Sequence, residues 1–277
     1  MIPQVTLRPG VSMPQLGYGV FQIAAEETAP CVEAALEAGY RSIDTAAIYG
    51  NEAEVGKAVQ AVQGRGIDRG ELFITTKLWN ADQGYDATLA AFDASLAALG
   101  TDYVDLYLIH WPVPAHDRYV ATWRAMERLH ADGRVRAIGV SNFHISHLQR
   151  LMDETQVVPA VNQIELHPNL AQRGLREFHA EHGIVTEAWS PLAQGGLLGD
   201  PVVTDLAQQH GKTPAQVVLR WHIQLGNVVI PKSVTRQRIV ENIDVFDFAL
   251  SAEELARIDA LDSGARIGPD PDTFNRL

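Results

Sequence analysis

The sequence predicts a closed (β/α)8 barrel, and three observations carry that prediction. Eight short apolar runs alternate with segments of helical period. Several of those runs are almost continuously hydrophobic, as strands covered on both faces require. No Gly/Ser linker or composition break divides the 277 residues. Such a length suits one barrel of about 250 residues, so residues 1–277 read as a single domain. A doubly wound open sheet is the competing arrangement. It lacks support, because no GxGxxG follows the first strand.

The leading segment QVTLRPGVSMPQLGYG has two strand-like runs around Pro9-Gly10 and reads as a hairpin lying across one end of the barrel. The barrel strands follow as LGYGVF (16–21), RSIDTA (41–46), LFITTKL (72–78), VDLYLIHW (104–111), VRAIGVSN (135–142), AVNQIEL (160–166), IVTEAWS (184–190) and NVVIPKS (227–233). Between them the pattern changes to the helical period. In 85–99, Leu89, Phe92, Leu96 and Leu99 recur at spacings of three and four, which makes one apolar stripe. Segments 25–38, 52–62, 119–132, 172–182 and 213–224 read the same way, the last opened by Thr213 as cap and Pro214 at the first helical position. The Gly/Pro/Asp-rich tail from Asp262 reads as an irregular loop.

Composition narrows the function. Lys and Arg number 22 against 34 Asp and Glu, a net charge of −12, which argues against nucleic acid or anionic lipid as partner. The single cysteine, Cys31, excludes an internal disulfide framework. With neither CxxC nor HExxH, no metal site is expected. The N-terminus has no basic and apolar leader pattern, and no apolar run reaches the roughly 18 residues of a membrane span. The expectation is a cytoplasmic protein with no membrane association.

In such a barrel chemistry sits where strands end. Those ends carry Asp44, Lys77, His110, Ser141-Asn142, Gln163, Trp189 and Lys232-Ser233, with Tyr49 in the loop IYGNE. Each alone has an ordinary reading: Asp44 as a turn cap, Lys77 as a snorkelling side chain, His110 and Tyr49 as core. Together, Asp44, Tyr49, Lys77 and His110 bring a carboxylate, a phenol, an ammonium and an imidazole from three consecutive βα units. A neighbouring ammonium stabilises phenolate, so Lys77 would lower the Tyr49 pKa and fit it as a general acid, with Asp44 keeping Lys77 charged. His110 would orient a carbonyl. Nothing in the tetrad supplies hydride, so a cofactor is required. The loops SPLAQGGLLGDP (190–201) and PKSVTRQR (231–238) supply what a nucleotide needs: glycines 195, 196 and 199 for close backbone approach, and Lys232, Ser233, Thr235 and Arg238 for an isolated phosphate. The cations favour NADPH over NADH. Ser141, Asn142 and Gln163 suit a carboxamide, and Trp189 the face of a nicotinamide.

The chain resembles the aldo-keto reductases over nearly its whole length. The resemblance rests on GYRSIDTAAIYGNEAEVGKA (39–58), VRAIGVSNF (135–143) and IPKSVTRQRIVENIDVF (230–246). Within that family ITTKLWN, VVPAVNQIELHP and HGKTPAQVVLRWH make it most similar to the bacterial 2,5-diketo-D-gluconic acid reductases. The resemblance implies an NADPH-dependent carbonyl reductase acting as a monomer on a small-molecule carbonyl. Tyr49 would be proton donor, Lys77 and Asp44 would tune it, and His110 would orient the substrate. It further implies that Ser141, Asn142, Gln163, Trp189, Ser190, Leu192, Gly196, Lys232, Ser233, Val234, Arg238 and Asn242 hold the cofactor. Phe21, Ile48, Trp79 and Trp111 would line the substrate pocket. Trp189 departs from the tyrosine of many members, though the diketogluconate-like branch shares it. The tail after Asp262 is short where the family's C-terminal loop shapes substrate choice. Two other readings stand beside this one: Schiff-base aldol chemistry on Lys77, and a cofactor-sensing regulatory barrel.

Overall fold

A computed structural model describes residues 2–7 and 10–277. The leading strands β1 (Gln4–Thr6) and β2 (Ser12–Pro14) pair antiparallel, with Val5 opposite Met13. Arg8 and Pro9 of the expected turn lie outside the described residues. Eight parallel strands follow: β3 (Tyr18–Gly19), β4 (Ser42–Asp44), β5 (Phe73–Leu78), β6 (Val104–Ile109), β7 (Val135–Ser141), β8 (Val161–Glu165), β9 (Val185–Trp189) and β10 (Val228–Val229). Each pairs with its sequence neighbour. The ring closes where Leu16 bridges Val229 in parallel. There the Gly17 N–H donates to the Val229 carbonyl at 2.8 Å and the Val229 N–H to that of Gln15 at 3.0 Å. An open sheet is thereby excluded.

The six expected helices form as α1 (Ala25–Glu37), α2 (Glu52–Gln63), α3 (Tyr85–Leu99), α4 (Tyr119–Ala131), α6 (Arg173–His182) and α8 (Pro214–Gln224). Phe92, Leu96 and Leu99 of the α3 stripe are buried. Thr213 caps α8 as the sequence indicates, its hydroxyl accepting from the Gln216 N–H while its own N–H donates to the Gln216 side chain. Among the described residues four further helices lie outside those six segments: α5 (Ile145–Glu154), α7 (Pro201–His210), α9 (Arg236–Ile243) and α10 (Ala252–Asp259). Among the described residues no helix is long and apolar enough to cross a membrane.

The hairpin has a definite task. Leu7 and Met13 are fully buried in one cluster with Phe73, Leu106, Val161 and Val228, all near the start of a barrel strand. They plug the N-terminal end of the barrel, as expected for a hairpin lying across it. The opposite end is left to the βα-loops. The tail beyond Asp262 has neither helix nor strand, as its composition indicates.

Candidate active site

Four elements deliver the polar cluster. Asp44 is the last residue of β4, Lys77 the fifth of β5, and His110 follows β6. Tyr49 ends a short 3-10 turn, Ala47–Tyr49. The Lys77 ammonium donates to Asp44 Oδ1 at 2.5 Å, to the Thr45 carbonyl at 2.9 Å and to the Tyr49 hydroxyl at 3.4 Å. Three N–H groups meet three acceptors. Lys77 is 0% exposed, so it does not snorkel. The Tyr49 and His110 rings meet edge to face with centroids 5.7 Å apart.

Burial by itself would pull Lys77 down, but Asp44, Tyr49 and Glu187 outweigh it and hold the ammonium above its ordinary pKa. His110 is driven well below the usual imidazole range by burial, with Lys77 adding to the effect, so it is neutral. Tyr49 corrects a simple expectation. Lys77 does pull its pKa down, but burial is the larger influence and the phenol ends above its ordinary value. It is therefore a protonated group at neutral pH.

A second network runs across the barrel mouth. The Ser141 hydroxyl donates to the Gln163 carbonyl at 2.8 Å. Asn142 Nδ2 donates to Ser141 Oγ and to the His110 carbonyl, each at 3.0 Å. The Trp189 indole N–H donates to Asn142 Oδ1 at 2.8 Å. Gln163 Nε2 reaches Asp44 Oδ2 at 2.8 Å and Glu187 Oε2 at 2.9 Å. Ser141, Asn142, Gln163 and Trp189 thus form one connected set joined to the tetrad through Asp44 and His110.

The third group lies on the last loops. Ser190 and Leu192 are half-buried beside Trp189, and Gly196 is exposed after the turn Ala193–Gly195. Lys232, Val234 and Arg238 are exposed, while Ser233 and Asn242 are buried. The neighbouring Arg236 is tied to Glu37 at 2.9 Å; neither Lys232 nor Arg238 has an ion-pair partner among the described residues. The Ser233 hydroxyl accepts the Thr235 N–H at 3.0 Å just before α9.

The four aromatic and aliphatic residues expected around a substrate also gather here. Phe21 packs on Tyr49 with centroids 5.0 Å apart, and Trp79 meets His110 at 5.3 Å. Phe21 and Ile48 are about half exposed, large apolar side chains open at the rim, whereas Trp111 is buried. Sequence reasoning missed Glu187 and Glu165, which are buried carboxyls on β9 and β8, and Phe274, whose ring lies 4.4 Å from Trp111. A charged residue inside an otherwise buried strand was the available signal for the first two.

The profile of the aldo/keto reductase family matches residues 13–263. The chain belongs to the aldo-keto reductase family. An aldo-keto reductase of Mycolicibacterium smegmatis is 61% identical over 99% of both chains. A methylglyoxal reductase of Yersinia pestis is 57% identical over 99% of this chain and 98% of its own. Among solved structures, a mutant of Gox0644 in complex with NADPH superposes with a TM-score of 0.94, at 49% identity and 99% coverage of each chain.

Proposed function

We propose that this aldo-keto reductase uses NADPH to reduce a small aldehyde or ketone, of the dicarbonyl or keto-sugar acid class, to the alcohol. Tyr49 is the proton donor. The observation that carries the reading is the chain Asp44–Lys77–Tyr49, with Asp44 and Lys77 buried and Tyr49 half-buried, beside a neutral His110. The relatives named as methylglyoxal reductases support the substrate class.

The donor set fits the cofactor. Lys232 and Arg238 are exposed cations with no ion-pair partner among the described residues, beside the Ser233 hydroxyl, and suit the 2′-phosphate of NADPH, with Val234 and Asn242 close by for the adenosine. Ser190, Leu192 and Gly196 would border the pyrophosphate, Ser141, Asn142 and Gln163 the carboxamide, and Trp189 the ring face. When bound, NADPH supplies the hydride. The protein's own residues do the rest. Neutral His110 donates a hydrogen bond to the carbonyl oxygen, and Tyr49 gives that oxygen its proton as negative charge develops there. The resulting phenolate lies within reach of the Lys77 ammonium, which Asp44 keeps charged. Phe21, Ile48, Trp79 and Trp111 surround the reacting group and exclude water. Aldol chemistry on Lys77 is disfavoured, because a charged amine with all three N–H groups engaged is not a nucleophile.

The test is NADPH oxidation with methylglyoxal, 2,5-diketogluconate and aromatic aldehydes as substrates. Tyr49→Phe removes turnover, by roughly a thousandfold or more if the proton donor is the dominant catalytic group, while NADPH binding followed by tryptophan fluorescence persists. Undiminished turnover in Tyr49→Phe overturns the mechanism. Absence of NADPH oxidation with every carbonyl moves the protein to the regulatory reading.

A further inference from the structure

The tail beyond Asp262 is irregular in backbone, yet it is fastened along its length. At its near end the Ile267 and Gly268 N–H groups donate to the two oxygens of Glu165, at 2.6 and 2.9 Å. Glu165 is the last residue of β8 and is 1% exposed. Its other partner is His167 Nε2, 3.0 Å from Oε1. Burial alone would raise the Glu165 carboxyl, but hydrogen bonds from His167, Ile267 and Gly268 outweigh it and hold the pKa below its ordinary value. A buried carboxylate is thus held by His167 first and then by two backbone N–H groups of a chain segment roughly a hundred residues away.

Gly268 shows how closely the tail approaches. A Cβ there would lie 2.5 Å from the outer edge of the Trp189 ring and 3.0 Å from Glu165 Oε2. Further along, Asp272 contacts His144 at 2.9 Å and His147 at 3.3 Å, Phe274 packs on Trp111, and Asn80 Nδ2 donates to the Arg276 carbonyl at 2.7 Å. The tail is a strap that begins against Trp189 and ends on Trp111 and Asn80. It crosses the mouth where the proposed substrate residues lie.

We infer that Glu165 is a positioning residue for the reduction: its carboxylate seats this strap, and the seated strap sets the size of carbonyl the pocket accepts. The inference rests on the function proposed above. Both Glu165 oxygens are engaged within the protein, by His167, Ile267 and Gly268. Glu165 acts through the Ile267–Gly268 backbone, which fixes where Phe274 and the end of the chain meet Trp111. A neutral amide at this position accepts one N–H and turns its own N–H groups against the other, so the clasp opens.

Two variants attack the clasp by different means. Glu165→Gln removes the charge and one acceptor, and Gly268→Ala places a methyl group against Trp189. Amide hydrogen exchange of residues 266–276 reads the strap without reference to turnover. Exchange at Ile267 and Gly268 is expected to quicken roughly tenfold in each variant, the scale of one charge-assisted hydrogen bond. Steady-state kinetics with methylglyoxal and with a para-substituted benzaldehyde read the pocket. The ratio of kcat/KM for the aromatic aldehyde to that for methylglyoxal is expected to rise roughly tenfold, through a higher KM for the small substrate. Unchanged exchange overturns Glu165 as anchor. Faster exchange with an unchanged ratio overturns the link to substrate size. If the wild-type protein reduces no carbonyl, the proposed reaction has failed, and the exchange measurement still decides the anchor. Should Glu165→Gln fail to fold, Glu165→Asp, which keeps the charge but shortens its reach to both N–H groups, carries the same two readouts.

Discussion

Two carboxyls and one ammonium share the dry centre of this barrel: Asp44, Glu187 and Lys77. Lys77 pairs with Asp44, so an ionised Glu187 would be a buried charge without a counterion, and such charges cost several kcal/mol. Glu187 Oε1 has no hydrogen-bond partner among the described residues. Burial, reinforced by Asp44, pushes the Glu187 pKa up to about 8. The native state therefore holds a proton that the unfolded chain releases near the usual carboxylate range. Its stabilising contribution is complete below that range and is lost as pH rises towards 8. Glu187→Gln, which cannot ionise, should match the wild type in Tm near pH 5 and exceed it increasingly by pH 8.5. A difference in Tm that is constant with pH would refute this assignment. A second prediction concerns Arg238, exposed and without an ion-pair partner among the described residues. Arg238→Ala should weaken NADPH binding roughly tenfold, the loss of one charged contact to phosphate, and leave NADH nearly unchanged. Equal loss for both would remove Arg238 from the phosphate site. The tetrad was legible in the sequence because Asp44, Lys77 and His110 stand at strand ends, where a barrel displays its chemistry. Glu187 was not singled out, because one carboxyl within VTEAW looks like ordinary strand alternation until the ring closes and shows which way it faces.

At the level of elements, apolar content explains only part of what was legible: α6 was read although it buries just Leu175 and His179, and α7 was not, although it buries Val203, Leu206 and Ala207. It does account for α9, which reads RQRIVENI and buries only Ile239 and Asn242, and for α10, which buries only Ile258. Such helices form because the barrel offers a surface for one or two anchors, and that surface is invisible to local periodicity. Helix packing elsewhere depends on an absent side chain. Gly56 faces α3 from the middle of α2, and a Cβ there would lie 2.3 Å from the Leu99 carbonyl oxygen. Glycine normally weakens a helix interior, so its place here is explained by the close approach of the two helices. Gly56→Ala should destabilise the fold by about 1–3 kcal/mol despite the better helix propensity of alanine. Denaturant unfolding measures this, and a stabilised variant would show that α2 and α3 part without cost.

The whole molecule separates stability from chemistry by placing them at opposite ends of one barrel. The acidic balance of −12 describes its surface; Lys77 and the exposed Lys232 and Arg238 are the local exception, on the loop end where an anionic cofactor would bind. At the other end the hairpin buries an apolar cluster under the strand starts. Met13 is fully buried and packs with Leu7, Phe73 and Val228. Val5 and Val11 cover the same cluster from the hairpin. The tetrad shares none of those contacts: Lys77 and Asp44 bond to Thr45, Tyr49 and Gln163, at the C-terminal ends of the strands. Truncating Met13 to alanine should therefore leave a cavity at the plugged end and lower stability by about 2–5 kcal/mol, the usual range for a buried methionine. Below the transition the variant should keep the wild-type KM for NADPH and for methylglyoxal, since the strand register that aligns Asp44, Lys77 and His110 is fixed by backbone pairing between β4, β5 and β6. A loss of stability with unchanged kinetic constants fits a plug that supports the barrel and takes no part in catalysis. A raised KM at a temperature where the variant is fully folded would show that the two ends are coupled through the barrel core, and the separation argued here would fail.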